Sequence, residues 1–215
     1  MGRNSEKDAI EMASKNQRIL EKGFQIFAEK TIDKVTMTDV AKAADIGIAS
    51  LYRYYSTKQA LVLAVATWAW NDYLNNRMKR LEEEDWNRKT AAEIIDYFLE
   101  AFLEMYRSHR DLLRFNQFFN VYLQNQNIPK EDMKPYSDIV TEVEESFGKA
   151  YNKGRMDGTL GTDIPEKQMF STAIHLMLAA VTRYAVGLVY SNADTDAESE
   201  LRMQKEMLLR QFCRG

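Results

Sequence analysis

Hydroxyl and cationic side chains that suit anions are concentrated in one short stretch of the chain. Residues 46–58 read IGIASLYRYYSTK, with three tyrosines, one arginine and one lysine. Three large rings so close together cannot all be buried on one side of a short helix, so some of them must face outward. Tyrosine hydroxyls, and a lysine at the start of a helix, suit phosphate oxygens because donors and helix N-termini attract anions. The stretch therefore indicates an anion-binding surface.

Short helices and a tight turn are predicted to position this stretch. Apolar residues at helical spacing predict a first helix over about 9–30. Thr36 is the expected N-cap of a second helix, with Asp39 at its third position. Residues 45–47 then form a turn, and 56–59 are predicted to form a capping box for the fourth helix.

The third helix, which begins at Ile48, is predicted to have two different sides. At 100° per residue one side comprises Ile48, Leu51, Tyr52 and Tyr55, and the outward ridge comprises Ala49, Ser50, Arg53 and Tyr54. On the first side Leu51 and Tyr55 are expected to hold the helix down, and Tyr52 is expected to lie at the boundary. Two short helices with a polar ridge on the second are typical of a helix-turn-helix that enters the DNA major groove. The alternative is a helix pair that does not bind DNA, because such pairs occur in many all-α proteins.

Residues 19–65 closely resemble the DNA-binding head of TetR-family transcriptional repressors. The family element T-(T/S)-(V/M)-x-(D/E)-(I/V)-A corresponds to TMTDVA at 36–41, and L-Y-x-(H/Y)-F-x-S-K-x-x-L corresponds to LYRYYSTKQAL at 51–61. The resemblance implies an all-α fold with an N-terminal helix-turn-helix head and a C-terminal helical domain for ligand binding and dimerisation. We expect these domains over 1–60 and 61–215.

The resemblance also implies which residues contact DNA. Bases or the groove wall would be met by Ile48, Ala49, Ser50 and Arg53, and the DNA backbone by Thr36, Thr38, Tyr52, Tyr54 and Lys58. Three positions depart from the family pattern. Asp45 replaces the usual turn glycine, Gly47 replaces the usual capping serine, and Ala49 replaces a common glycine. None of these departures breaks the motif, because Asp tolerates a left-handed backbone and Gly is an acceptable cap.

Composition and motifs limit the function of the remaining chain. The 215 residues are 45% hydrophobic with a net charge of −3, as in an ordinary globular protein. A lone cysteine, no signal-like segment and no membrane-length apolar run predict a cytoplasmic protein. Neither His109 nor His175 has a Glu three residues before it, so the di-iron carboxylate pattern of helical bundles is absent. The chain also has no phosphate-binding glycine loop and no nucleophile motif. We therefore expect no enzyme, no metal and no cofactor.

The body is predicted to contain helices over about 57–80, 90–108, 111–124, 136–153, 165–190 and 196–212, with loops at 127–135 and 154–165. Residues 169–188 are apolar on nearly every side, which indicates burial on every side. In a small domain a second copy would supply that burial, with the last helix as partner surface. A homodimer follows, and in TetR-type proteins the last two helices form the dimer interface.

Large rings are frequent in the middle helices. The plainer interpretation is that they form a core, and the alternative is an apolar pocket for a small hydrophobic or aromatic effector. The candidate pocket residues are Phe102, Tyr106, Phe118, Tyr122, Phe147 and His175. The leading hypothesis is thus a homodimeric repressor that an effector releases from double-stranded operator DNA. A DNA-binding regulator whose body binds a partner protein is the second.

Overall fold

The protein is described by a computed structural model over residues 2–82, 86, 88–161, 163–187 and 196–214, without the side chains of 2–6 and 78–82. Within these ranges it is all-α, as predicted, with one isolated bridge between Leu160 and Cys213. The helices are α1 (Gly2–Lys30), α2 (Met37–Ala43), α3 (Ile48–Tyr54), α4 (Lys58–Glu82), α5 (Ala91–Ser108), α6 (Arg110–Gln124), α7 (Lys130–Asp157), α8 (Glu166–Val186) and α9 (Ala197–Phe212).

Two helices are longer than predicted. α1 begins at Gly2, and its residues 7–14 are exposed, so Ile10 is not part of the apolar stripe. α7 includes 130–135, which was predicted to belong to a loop. Tyr136 packs against the ring of Phe119 at 5.0 Å and explains the difference. Packing of an apolar face stabilises this turn although Pro135 removes one helical hydrogen bond.

The chain divides into two compact units, the first being Met1–Tyr73 with Phe115–Ser137. Its core joins the three N-terminal helices to the first half of α4 and the second half of α6. α1 lies close to α4, because a Cβ on Gly23 would come within 3.1 Å of Val65 Cγ2. The loop after α1 contains Thr31, which has a left-handed backbone with φ 68°. The domain boundary at residue 60 stays a prediction.

The second unit is Leu74–Arg114 with Asp138–Gly215. α5 packs against both α8 and α9, and α8 packs against α9. Ion pairs connect α5 to α9, since Lys205 Nζ lies 2.7 Å from a carboxylate oxygen of Glu100 and 3.0 Å from one of Asp96. The same unit holds Arg77, whose buried guanidinium lies 2.6 Å from Glu104.

Within the described residues, α8 has the length and composition of a helix that could cross a membrane. This is weak evidence for a membrane span, because core helices of other proteins pass the same test. Leu188, which the sequence placed in this helix, lies outside the described residues. Leu176 is 53% exposed in the single chain, so burial of α8 on every side would need the second copy and stays a prediction.

Candidate nucleic-acid interface

A reciprocal cap fixes the start of α2. Thr36 Oγ1 accepts a hydrogen bond from the Asp39 backbone N–H at 3.2 Å, and the Asp39 carboxylate accepts one from the Thr36 N–H at 2.8 Å. The Thr36 hydroxyl also donates to that carboxylate at 2.6 Å, and these bonds from Thr36 hold the pKa of Asp39 below its ordinary value. The predicted N-cap is therefore confirmed. Thr36 and Thr38 are both exposed, but the hydroxyl of Thr36 is already occupied by the cap.

The turn between α2 and α3 has the backbone geometry that its sequence requires. Asp45 is left-handed, with φ 53°, and short-chain Asp tolerates this conformation better than most residues. The N–H of Ile46 donates to the Ala41 carbonyl at 3.0 Å and closes the turn, and its side chain packs against the core of the first unit. Gly47 is the N-cap of α3 without a side-chain hydrogen bond.

The observed exposure of α3 corrects one of the predicted orientations. Leu51 is fully buried and anchors the helix, while Ala49 and Arg53 are exposed. Tyr52 is 49% exposed, which agrees with its predicted place at the boundary, whereas Tyr54 is half-buried, although it was placed on the outward ridge. Tyr54 follows Leu51 by three positions within α3, so the two side chains are neighbours on the helix surface. Tyr54 therefore packs against the same core as Leu51.

Two further residues of α3 have exposures that define its outer edge. Ile48 is 38% exposed, so it lies with the exposed edge of the helix. Ser50 is half-buried, and its hydroxyl accepts a long hydrogen bond of 3.4 Å from the guanidinium of Arg53. The exposed edge of α3 therefore consists of Ile48, Ala49, Tyr52 and Arg53 with Ser50 beside them.

Two tyrosines at the end of α3 are tied to α1. The hydroxyl of Tyr54 donates to the Met12 carbonyl at 3.4 Å, and that of Tyr55 donates to Asn16 Oδ1 at 2.7 Å. Burial raises the pKa of the Tyr55 phenol despite its bond to Asn16. Sequence reasoning missed Met12 and Asn16. Contacts between residues about forty positions apart leave no periodic signal in a single sequence.

The start of α4 lies one residue later than predicted. Thr57, not Ser56, caps the helix, because its Oγ1 accepts from the Ala60 N–H at 3.0 Å. Lys58 is the first helical residue, and its Nζ donates to the Asp33 carbonyl at 3.5 Å. Its ammonium is partly withdrawn from water. This burial lowers the pKa of Lys58, while the charge of Asp33 opposes the shift.

Two exposed cations of the same unit were not named from the sequence. Lys34 lies in the loop between α1 and α2, and Lys42 lies in the last turn of α2. In the sequence they look like ordinary surface lysines near the motif. Nothing in their spacing distinguishes them from other solvent-exposed charges.

Comparison with known proteins identifies this arrangement. Residues 19–65 match the family model described as bacterial regulatory proteins, tetR family. This match covers the N-terminal part of the chain, which contains α2, α3 and the turn between them. The resemblance seen in its sequence is therefore confirmed, and the matched residues run from the second half of α1 to the first turns of α4.

Two curated proteins that are similar to this chain are regulators of Bacillus subtilis (strain 168). An uncharacterized HTH-type transcriptional regulator, YerO, is 28% identical over 120 residues, or 54% of this chain. The match spans only 40% of YerO's own length. A second uncharacterized HTH-type regulator, YvdT, is 22% identical over 177 residues, with 81% of this chain and 84% of YvdT covered.

Solved structures share the fold over nearly the whole chain. A transcriptional regulator from Saccharomonospora viridis, solved in complex with choline, has a TM-score of 0.72 at 15% identity and covers 94% of this chain and 100% of its own. FadR of Bacillus subtilis, solved in complex with stearoyl-CoA, has a TM-score of 0.71 at 14% identity, with 91% and 98% covered. The TetR-like fold predicted from the sequence, with a helical domain after the head, is confirmed.

The structure does not gather the six predicted effector residues in one compact unit. Phe118 and Tyr122 belong to the first unit. The other four lie in the second unit, as Phe102, Tyr106, Phe147 and His175. Of these, His175 is exposed on α8, so it is neither a core histidine nor enclosed by its own chain.

The rings of the second unit pack on one another. Phe98 lies 5.7 Å from Phe102, 5.2 Å from Phe147 and 6.3 Å from Phe170, measured between ring centroids. These distances are those of direct aromatic pairs. Phe102 and Phe147 are thus buried against protein. Tyr106 pairs at 6.1 Å with Tyr184 and remains half-buried.

Proposed function

We propose that this TetR-family regulator binds a near-palindromic operator as a homodimer in the cytoplasm and is released by a small hydrophobic effector. One observation carries the DNA-binding part of the proposal. A short helix is held by the buried Leu51 after a left-handed turn at Asp45, and it leaves a polar edge exposed. An exposed edge on the second helix of a helix-turn-helix is the surface that reads the major groove.

The exposed edge of α3 divides into two kinds of contact. Ala49 is small and Arg53 is exposed, so both suit the approach to base edges, with Ile48 on the groove wall. Tyr52 and Lys58 suit phosphates, together with Thr38. Tyr54 contributes less directly than the sequence indicated, because its hydroxyl is engaged with α1. Thr36 serves mainly as the cap of α2.

The proposed dimer rests on apolar side chains that α8 and α9 leave uncovered. Leu176 is 53% exposed and Val186 45% on α8, while Met203 is 61% and Met207 63% exposed on α9. The opposite faces of these helices are buried within their own chain. Exposed apolar residues concentrated on two packed helices mark an interaction surface. A two-fold axis would cover both copies at once.

Not every apolar residue of α8 and α9 belongs to this exposed surface. Leu208 is only 6% exposed and Leu178 is half-buried in the single chain, so a charge at either position would disturb the chain's own core. Leu176 and Met207 are the better test positions. His175 lies next to Leu176 in the chain and is exposed as well, so we assign it to this surface rather than to a pocket.

The proposed effector is supported by the many rings of the body and by two structural neighbours. Those neighbours were solved with choline and with stearoyl-CoA, so this fold accommodates small molecules in other proteins. For this chain we place the effector among the second-unit helices, with Tyr106 as the candidate whose half-buried ring has a polar tip.

A partner protein remains the second candidate for the body. The observation that favours it is the mutual packing of Phe98, Phe102, Phe147 and Phe170. Rings that fill one another's space act as a core at these positions. DNA binding would then be regulated by another protein that binds to the surface of the body. Calorimetry with aromatic and amphipathic compounds separates the two, since only the first hypothesis requires a compound that changes operator affinity.

The DNA-binding proposal is tested with two substitutions that should act differently. Arg53→Ala should change which sequence is preferred, because a groove side chain carries sequence information. Lys58→Ala should weaken binding to all duplexes alike and lower the salt slope by about 0.9 for each phosphate that the variant no longer neutralises. Lys149→Ala, on an exposed part of α7, is the matched control and should change neither quantity.

Fluorescence anisotropy at several salt concentrations measures both effects. If Lys58→Ala leaves affinity and salt slope at wild-type values, α3 and the start of α4 do not lie on the DNA backbone as proposed. If Arg53→Ala leaves the preferred sequence unchanged while Lys58→Ala has its expected effect, the backbone contact stands and the base-reading assignment is wrong.

A further inference from the structure

The ammonium of Lys58 is held by two groups that lie far from it in sequence. The Asp33 carbonyl accepts its hydrogen bond at 3.5 Å. The ring of Tyr122, near the end of α6, lies 5.8 Å from Nζ, measured to the ring centroid. This distance is within the range of a cation–π contact. All three residues belong to the first compact unit.

We propose that Tyr122 is a positioning residue for DNA binding: its ring and the Asp33 carbonyl hold the Lys58 ammonium in place to meet a phosphate. The inference rests on the proposed function, because it assumes that Lys58 contacts the DNA backbone. It also gives Tyr122 a different role from the effector contact that the sequence indicated.

The chemistry of an ammonium allows it to be held and to bind at the same time. Lys58 has three N–H donors. The Asp33 carbonyl accepts from one of them, and the face of Tyr122 attracts the cation electrostatically without accepting a conventional hydrogen bond. Donors therefore remain for a phosphate. A lysine has a long flexible stem, so one that is already held loses less conformational freedom when it binds.

The surroundings of Tyr122 make it a fixed support. Its side chain is only 5% exposed and belongs to the same core cluster as Phe115 and Phe119. Those two rings stack at 5.9 Å earlier on α6. Burial raises the pKa of the Tyr122 phenol above its ordinary value, so the ring that faces Lys58 is neutral near pH 7. A neutral ring in a packed core is a stable partner for a cation.

The experiment is a double-mutant cycle on the full-length chain. The probe is a duplex selected from a random-sequence pool by the wild-type protein. We expect Tyr122→Leu to weaken its binding by about two- to fivefold, the worth of a cation–π contact of about 0.5–1 kcal/mol at 1.4 kcal/mol per tenfold. Tyr122→Phe keeps the ring and should bind like the wild type. In a Lys58→Met background, Tyr122→Leu should have no further effect.

Phe119→Leu is the control for a merely structural effect. It removes a fully buried ring from the same helix and core, so it should lower thermal stability at least as much as Tyr122→Leu. It should leave the salt slope of DNA binding unchanged, whereas Tyr122→Leu should reduce it. Each variant is measured well below its unfolding temperature, so that unfolding is not mistaken for weaker DNA binding by the folded protein.

The outcomes separate this inference from the proposed function. A wild-type protein that selects no duplex refutes both. If Lys58→Met weakens binding but Tyr122→Leu matches the wild type, the DNA contact stands and the positioning role is wrong. If Tyr122→Leu weakens binding equally with and without Lys58, its effect does not pass through the lysine and the inference is overturned.

Discussion

Replacement of Thr31 by glycine should stabilise the regulator. Thr31 follows the last residue of α1 and has φ 68°, a left-handed backbone that is unusual for a β-branched residue. Glycine is the common residue at this position after a helix because it has no Cβ to clash. The strain at Thr31 also lies two residues before the carbonyl that holds Lys58. The substitution therefore tests the loop that supports the candidate interface.

The size of the effect follows from two opposing contributions. A left-handed residue with a Cβ costs about 1–2 kcal/mol, which glycine would recover. Glycine also makes the unfolded chain more flexible, which costs about 0.4–1 kcal/mol. The net gain should be about 0.5–1 kcal/mol. For a chain of this length such a gain raises the midpoint of thermal unfolding by about 1–4 °C.

Thermal and urea unfolding of the wild type, Thr31→Gly and Thr31→Ala test this prediction. Thr31→Ala is the matched control, because it also lacks the threonine branch but keeps the Cβ that causes the strain. We expect the Thr31→Gly variant to be more stable than the wild type, and the Thr31→Ala variant to be no more stable than the wild type. If alanine and glycine stabilise the chain equally, the backbone at residue 31 is not left-handed and the reasoning is refuted.

Two other predictions concern the second unit. Leu176→Asp should convert the proposed dimer to monomer in sedimentation, since a buried unpaired carboxylate costs several kcal/mol. Val140→Asp, at a similarly exposed position (49%) on α7, should leave the proposed dimer intact. The pKa of Glu100 is raised by burial, but Lys205 and Arg107 outweigh this and hold it below 4.5. A lowered pKa contributes stability that is present above about pH 4.5 and is lost as the pH falls, so Glu100→Gln should reduce the loss of stability on acidification in urea unfolding. An unchanged acid dependence would show that the α5–α9 ion pairs contribute nothing.

The head could be predicted from the sequence because its signals are local. Caps, apolar spacing and turn residues act over a few positions, and they correctly placed Thr36, Asp45 and Leu51. The orientation of Tyr54 was wrong because a residue three positions after the buried Leu51 lies next to it on the helix surface, and its long ring reaches the core from there. Its hydrogen-bond partner Met12 lies 42 positions earlier in the chain and left no local signal.

The remaining features depend on contacts between distant residues. The loop predicted at 130–135 is helical because Tyr136 packs against Phe119. Nothing in the spacing of Lys58 indicated that Tyr122, sixty-four positions later, would lie over its ammonium. Similarly, the aromatic residues of the body could be interpreted as a core or a pocket from the sequence. Only their mutual distances favour the core at Phe102 and Phe147.

Selection of duplexes from a random-sequence pool tests the central claim most directly. Because a two-fold dimer presents two copies of α3, the enriched sequences should contain inverted half-sites whose centres lie about 10–10.5 base pairs, or a multiple of that, apart. Selection with Arg53→Ala should enrich a different half-site at the same spacing. Failure to enrich any sequence, or enrichment that is identical for the wild type and Arg53→Ala, would contradict the conclusion that α3 reads an operator.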